Sequence, residues 1–456
     1  MRKLLALLAV LLVVFGAVYL YAGRLPGPTI AITHPDRLVG TVTPVELSVT
    51  SPGGTLTSLH LFFDQNGKTT ELGSLAAADT AALTHDGPDT VKVSKVISRD
   101  TVPSLTSGPA QVRVEATRPV LFGLRQASAA VQKPLQVRLE PPSLSVISTH
   151  HYINVGGAEM VVYRIKPDDV ASGVEVGGRA YPGFPAAGAA VDGIHLTDSS
   201  LRVAFFSLLW NDPTSTTIHL YARDDAGNSV RADLEHKVFP KAPKRSQIDL
   251  NDTFLDRVVP AIEAGSPEVK PTGSLIDQFL VLNGDLRRRN AATIAALASR
   301  TSPEMLWRGD VFYKYANTKA ESAFADQRTY LYRGRVVDHQ THLGFDLASF
   351  AHTPVRAANR GKVIYAADLG IYGNCVIIDH GLGVQSLYAH LSSIEVAVGT
   401  MVDKAQELGK SGETGIAGGD HLHFTMLVNG QMVNPIEWWD AHWIQDRIIR
   451  KLREAR

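Results

Sequence analysis

Residues 419–428 read GDHLHFTMLV, with two histidines on either side of one leucine at the head of a strand-like run. On a β-strand, residues i and i+2 project from the same face, so His421 and His423 aim their rings at one place. An HxH pair alone is weak evidence for a site. Its value depends on what else in the chain reaches that face.

Two other stretches supply candidates. In THLGFDLAS, residues 341–349, His342 and Asp346 are four apart with Gly344 between them. An extended strand would separate them by about 13 Å. Zinc bonds to nitrogen and oxygen are only about 2.0–2.2 Å long, so both hold one ion only if the chain turns, which Gly344 permits. Adding one histidine of HLH makes a His2Asp set with an open fourth position, the pattern of a catalytic zinc. The other histidine of the pair is then free to work on substrate. In NCVIIDHGLGVQSLYAHL, residues 374–391, Asp379, His380 and Gly381 read as a strand end entering a hairpin. Val384, Ser386, Tyr388 and His390 alternate along the returning strand, making His390 a second general acid/base candidate.

Taken together, these residues resemble the lysostaphin/LytM-type zinc metallopeptidases of family M23, which cut peptide bridges in bacterial cell walls. The resemblance covers Arg335 to Trp439: THLGFDLAS matches the HxxxD motif, LYAHLSS the later histidine motif, GDHLHF the HxH motif and VNPIEWW the closing segment. It implies an antiparallel-β peptidase domain in which His342, Asp346 and His423 ligate one Zn2+ ion. His390 and His421 would flank the open position and serve the reaction. Asn374, in the YGNC turn, is expected either to face the groove and bind substrate peptide, as the resemblance implies, or equally to satisfy its own hairpin turn. Zinc acidifies water and polarises the scissile carbonyl, while a histidine of ordinary pKa near 6.5 can carry the proton. Asp420 stands where proline is common in the family, and Thr425 with Met426 replaces a frequent glutamate.

The rest of the chain sets the context. Its 456 residues exceed one compact core, and 45 basic against 45 acidic residues give no electrostatic ground for a nucleic-acid partner. Cys375 is the single cysteine, so no internal disulfide forms; it reads as a buried strand residue. Arg2 and Lys3 precede nineteen uncharged, mostly apolar residues, Leu4–Ala22. At 1.5 Å per residue a helix there reaches roughly 28 Å, one hydrocarbon core. A single-pass anchor in the cytoplasmic membrane is favoured over a signal peptide, with the bulk of the chain in the periplasm or otherwise outside the cytoplasm.

Beyond this anchor, 1–24, the expected architecture is multidomain and mainly β. Alternating runs such as VELSV and LHLFF, separated by turn residues, predict one β-sandwich-like domain over 25–141 and a second over 142–245. His150 and His151 in the second read as surface or satisfied core residues. Helical spacing of Leu275, Phe279 and Leu282 behind a Ser274 cap predicts a mostly helical connector over 246–327, placed to restrain the groove it leads into. The peptidase-like domain, 328–456, ends in an amphipathic helix bearing Trp439, Trp443 and Ile444, with a basic tail. The function these expectations support is a membrane-anchored zinc endopeptidase acting on peptidoglycan peptide. A peptidase of exported proteins and an activator module of other wall hydrolases are the competing readings; activator relatives of this fold have lost zinc ligands.

Overall fold

The computed structural model describes residues 2–52, 55–75, 83–191 and 193–456. Arg2–Ala22 is one helix, long and apolar enough to cross a membrane, exposed along its apolar stretch and buried at Ala22. Length and composition suit an anchor and a signal sequence equally.

The remainder is mainly β and falls into two compact units: residues up to Pro142 with Arg223–Ser229, and Ser143–Ala222 with Val230–Arg456. In the first, period-two alternation does what it predicts. Val45, Leu47 and Val49 of strand Val42–Thr50 and Leu59, Leu61 and Phe63 of strand Ser58–Gln65 are buried, while their neighbours face out. These strands belong to a four-stranded and a five-stranded sheet that close on one core with Val93, Val112 and Val114.

In the second unit the central element is a ten-stranded sheet. Its main path runs Lys319–Ser322, Phe345–Ala348, Leu422–Val428, Val384–Ile394, Asn374–Gly381, Gly361–Asp368 and Met401–Val402. The central strands are buried on both faces. One face carries Tyr388, Phe424, Met426 and Val428, which share a continuous core with Met160, Tyr163 and Phe205 of the strands N-terminal to the connector. The other carries Leu387, Ala389 and Leu427, covered by Phe279, Leu282, Leu286 and Ile294 from the connector helices. Each fully buried side chain of this kind contributes about 1.5–3 kcal/mol, so the connector is a structural layer of the sheet. Its helices start where caps permit. Ser274 forms a capping box with Asp277, and the Asn251 side chain accepts from the Phe254 amide at 2.8 Å.

The C-terminal residues pack inward as expected, with Trp438, Ile444, Ile448 and Leu452 buried and Trp439 against Phe345 and Phe424. The basic tail needs correction at Lys451. This side chain is fully buried, its Nζ donating to Glu159 Oε1 at 2.7 Å and to the Met160 carbonyl at 2.7 Å. A buried carboxylate needs a charged partner, and the helix supplies it. His151 is a satisfied core histidine, within 3.0 Å of Ser148 Oγ and 3.1 Å of the Glu235 carbonyl.

His380 is likewise fully buried, held between the Arg360 carbonyl at 2.9 Å and Ser386 Oγ at 2.7 Å. Burial pushes its pKa down to about 4 from an ordinary 6.5. The unfolded chain therefore takes up a proton near pH 6.5 that the folded chain refuses, and stability present above that pH is lost on acidification. Between pH 7 and pH 5 this one group is expected to cost the wild type about 2 kcal/mol that His380→Gln does not lose. Parallel denaturant titrations of both proteins at the two pH values check it. Equal pH slopes would exclude His380 as the source.

Candidate active site

Strand Phe345–Ala348 pairs antiparallel with Leu422–Val428 and sets Asp346 directly opposite His423. His342 closes the strand Arg335–His342, and the break at Leu343–Gly344 brings it back over the same spot. His342 Nε2 then lies 2.9 Å from Asp346 Oδ1 and 2.9 Å from His423 Nδ1, and His423 Nδ1 lies 3.0 Å from Asp346 Oδ1. All three residues are buried. Their atoms fit one ion. His342 Nδ1 donates to the Ala323 carbonyl at 3.1 Å beside Ser322 Oγ, which leaves Nε2 as a bare lone pair. Burial alone would raise the Asp346 carboxyl, but the facing histidines hold it well below the usual carboxylate range. Burial drives His423 down to about 4, so its ring is neutral and ligand-competent.

Gly344 has a role that the motif spacing does not reveal. Its backbone is not left-handed. A Cβ there would sit 2.5 Å from His423 Cε1 and Nε2 and 2.9 Å from the Phe424 carbonyl. Gly344→Ala is therefore expected to displace the His423 ring and weaken zinc binding by about 10- to 100-fold. A competition titration against a metal-sensitive chelator reads this, and unchanged affinity would show that the ring has room to yield.

The two remaining histidines arrive by different routes. His421 precedes its strand, bridged to Gly412, with Nδ1 2.7 Å from the Gly419 carbonyl and Nε2 3.5 Å from Asp346 Oδ1. His390 does not continue the alternation of Ser386 and Tyr388. Two residues, Ala389 and His390, oppose Cys375 in a β-bulge, and His390 has a left-handed φ of 62°. The bulge turns a side chain that period two would send into the opposite core toward the site. Its ring centroid lies 4.9 Å from that of His421 and 5.7 Å from that of His423, and Nδ1 lies 2.7 Å from the Thr414 carbonyl. In both histidines the carbonyl takes the Nδ1–H, leaving Nε2 as the working atom. Burial holds the His390 pKa well down. For His421 burial has the same tendency, but the bond to Asp346 prevails and raises it.

Asn374 is elsewhere. Its Nδ2 donates to the Leu391 carbonyl at 3.0 Å, and it lines neither of the two cavities beside the cluster. The register Asn374↔Leu391 sets its amide against the backbone next to the bulge. Thr425 and Met426 are fully buried and also line neither cavity, so the family departures there lie outside the groove. Asp420 accepts from Ser411 Oγ and from the His352 amide, fixing the loops beside His421. Cys375 is fully buried, and burial pushes its thiol up.

Sequence reasoning missed Arg328, whose Nη2 donates to Asp346 Oδ2 at 2.7 Å and leaves Oδ1 toward the histidines. It also missed Tyr372, 5.7 Å from the His423 ring. Arg328 lies fourteen positions before the HxxxD motif on strand Asp326–Tyr332, where nothing local marks it. A groove of about 610 Å³ opens before the cluster, lined by His390, His421, Asp420, Glu321 and Ile416, with Phe254 and Arg287 of the connector in its wall.

A buried N,N,O cluster on an antiparallel sheet, flanked by two histidines at the head of a groove, is the arrangement of a metal-dependent hydrolase. Residues 340–435 match the model of Peptidase family M23. The chain is 44% identical over 95 residues to the DD-carboxypeptidase/endopeptidase Mpg of Neisseria meningitidis, covering 21% of this chain and 22% of that protein. It is 30% identical over 165 residues to the peptidoglycan DD-endopeptidase ShyA of Vibrio cholerae, covering 36% and 35%. The chain thus matches about a third or less of these relatives' lengths. A solved structure of a putative M23 peptidase from Pseudomonas aeruginosa aligns over 63% of this chain and 94% of its own at 22% identity, with a TM-score of 0.39.

Proposed function

We propose that the protein is a zinc endopeptidase that hydrolyses peptide cross-links of peptidoglycan, held to the membrane by Arg2–Ala22 with the rest of the chain outside the cytoplasm. The observation that carries the reading is the convergence of His342, Asp346 and His423 beside two histidines whose Nδ1 atoms are tied to carbonyls, with His421 Nε2 3.5 Å from Asp346 Oδ1. Relatives named peptidoglycan DD-endopeptidases support the choice of substrate.

His342 Nε2, Asp346 Oδ1 and His423 Nδ1 would hold one zinc ion. Bound there, zinc supplies a Lewis acid for the scissile carbonyl and a water acidified toward neutrality. The chain's own residues do the rest. Arg328 fixes the Asp346 carboxylate through the oxygen facing away from the histidines. Of His390 and His421, one takes the proton of the attacking water at Nε2 and returns it to the leaving amine. The other donates to the oxyanion that develops on the substrate carbonyl. Their fixed Nδ1 bonds orient both rings before substrate arrives.

The test is digestion of purified sacculi by the full chain in detergent, with and without a zinc chelator, followed by mass analysis of released fragments. Chelator-sensitive release of peptide-cut fragments is expected. Stoichiometric zinc without release from sacculi would sink the wall reading and favour the peptidase of exported proteins. The activator reading is disfavoured by the complete N,N,O set.

A further inference from the structure

The His342–Asp346–His423 cluster borders two cavities, one whose charged side chains include both carboxylates and cations, Lys244 among them, and the other whose charged side chains are cations alone. His342, His423, Arg287, Arg328 and Tyr372 line both. The groove already described holds His390 and His421 together with Glu321, Asp326, Asp346 and Asp420. The second cavity, about 670 Å³, is lined by Arg245, Arg287, Arg288 and Arg328 and by no aspartate or glutamate.

The charges in the second cavity are partly committed. Arg328 holds Asp346, and Arg288 pairs with Asp285. Asp338, behind the wall, is held by Asn283 and Gln340. Arg287 is fixed through Nε and Nη2 to the Asn283 backbone and side-chain oxygens, at 3.1 and 2.6 Å, and carries its full charge into the cavity. Arg245 makes no ion pair among the described residues. Guanidinium groups stay protonated at any working pH, and their planar fork matches a carboxylate. Trp210, Leu343, Tyr372 and Met432 add apolar wall beside them.

We propose that this cavity is an anionic subsite that binds a carboxylate of the substrate peptide, on the side of the metal cluster away from His390 and His421. The identity of that peptide as wall peptide rests on the function proposed above. In wall peptide the carboxylate is either the C-terminal one of a D-alanine or one carried within the stem. All four arginines lie between 245 and 328, outside the segment 340–435 that matches the family. The subsite is therefore a contribution of this chain's connector and of the strands beside it.

The experiment compares wild type with Arg245→Gln/Arg288→Gln, a pair that touches neither the ligands nor the two site histidines. Calorimetric titration uses a wall tetrapeptide ending in D-alanine as free acid, as its C-terminal amide, and with only the stem carboxylates amidated. The zinc-loaded full chain is expected to bind the free acid about tenfold more tightly than the arm that lacks the recognised carboxylate, and the variant to lose that preference. For cleavage of the corresponding cross-linked dimer, KM should rise about tenfold in the variant with kcat little changed. Equal affinity for all three peptides, or an unaltered KM in the variant, overturns the subsite. Arginine-dependent binding without release from sacculi would leave the subsite standing and remove the wall reading. Release from sacculi without carboxylate preference does the reverse.

Discussion

Replacing His423 with alanine is expected to leave the protein without bound zinc and to lower peptide release from sacculi by more than about 10³-fold, over 4 kcal/mol of lost transition-state stabilisation. The size follows from the arrangement. His342, Asp346 and His423 converge within 3.0 Å, whereas His421 Nε2 stands 3.5 Å from the shared Asp346 oxygen. With one nitrogen gone, two ligands remain, too few for a catalytic zinc. His352→Ala is the matched control, because its side chain is two-thirds exposed and lines neither cavity. Zinc content by elemental analysis, with a circular dichroism spectrum to show folding, reads the result. Full zinc occupancy and wild-type release in His423→Ala would falsify the ligand assignment.

His390→Ala and His421→Ala are expected to behave differently, keeping one equivalent of zinc and losing about 10²- to 10⁴-fold in kcat. Neither ring is part of the N,N,O cluster, so metal content should not follow activity. If both serve one transition state, the double variant loses less than the product of the two single losses, because removal of either disables the shared step. Single-turnover cleavage of a defined cross-linked peptide measures this. Should either variant lose its zinc, that histidine belongs among the ligands, and the division of roles proposed here fails.

How far the site was legible depended on the range of the physics involved. That His421 and His423 share a face follows from the two-residue period of a strand, and both do approach Asp346 Oδ1, at 3.5 and 3.0 Å. The need for a turn between His342 and Asp346 follows from bond lengths, and the chain does break at Leu343–Gly344. His390 shows the limit. Period two places it beside Tyr388, on the face that packs against Phe424, whereas the bulge opposite Cys375 turns it to the other side. A bulge depends on the register between two strands, which no single strand's sequence records. The partner of Asn374 likewise lies across that register, at the Leu391 carbonyl. Arg328, Arg245, Arg287 and Arg288 carry no local pattern that separates them from other charged surface residues.

The sequence by itself determined the kinds of element and their chemistry. It placed an apolar helix at the start, inward alternation of Val45, Leu47 and Val49, a capped helix at Ser274, and three histidine-bearing motifs in order. These depend on contacts within a few residues, where periodicity and capping act. Only the tertiary structure decided that Asp346 stands opposite His423, that His390 turns back over a bulge, and that Gly344 is needed for space against the His423 ring. It also decided that Lys451 is buried against Glu159, and that the connector's helices form a layer of the ten-stranded sheet with arginines beside the His342–Asp346–His423 cluster. Each of these joins residues far apart in the chain, and their energies come from pairing and burial that exist only once the strands and helices are packed.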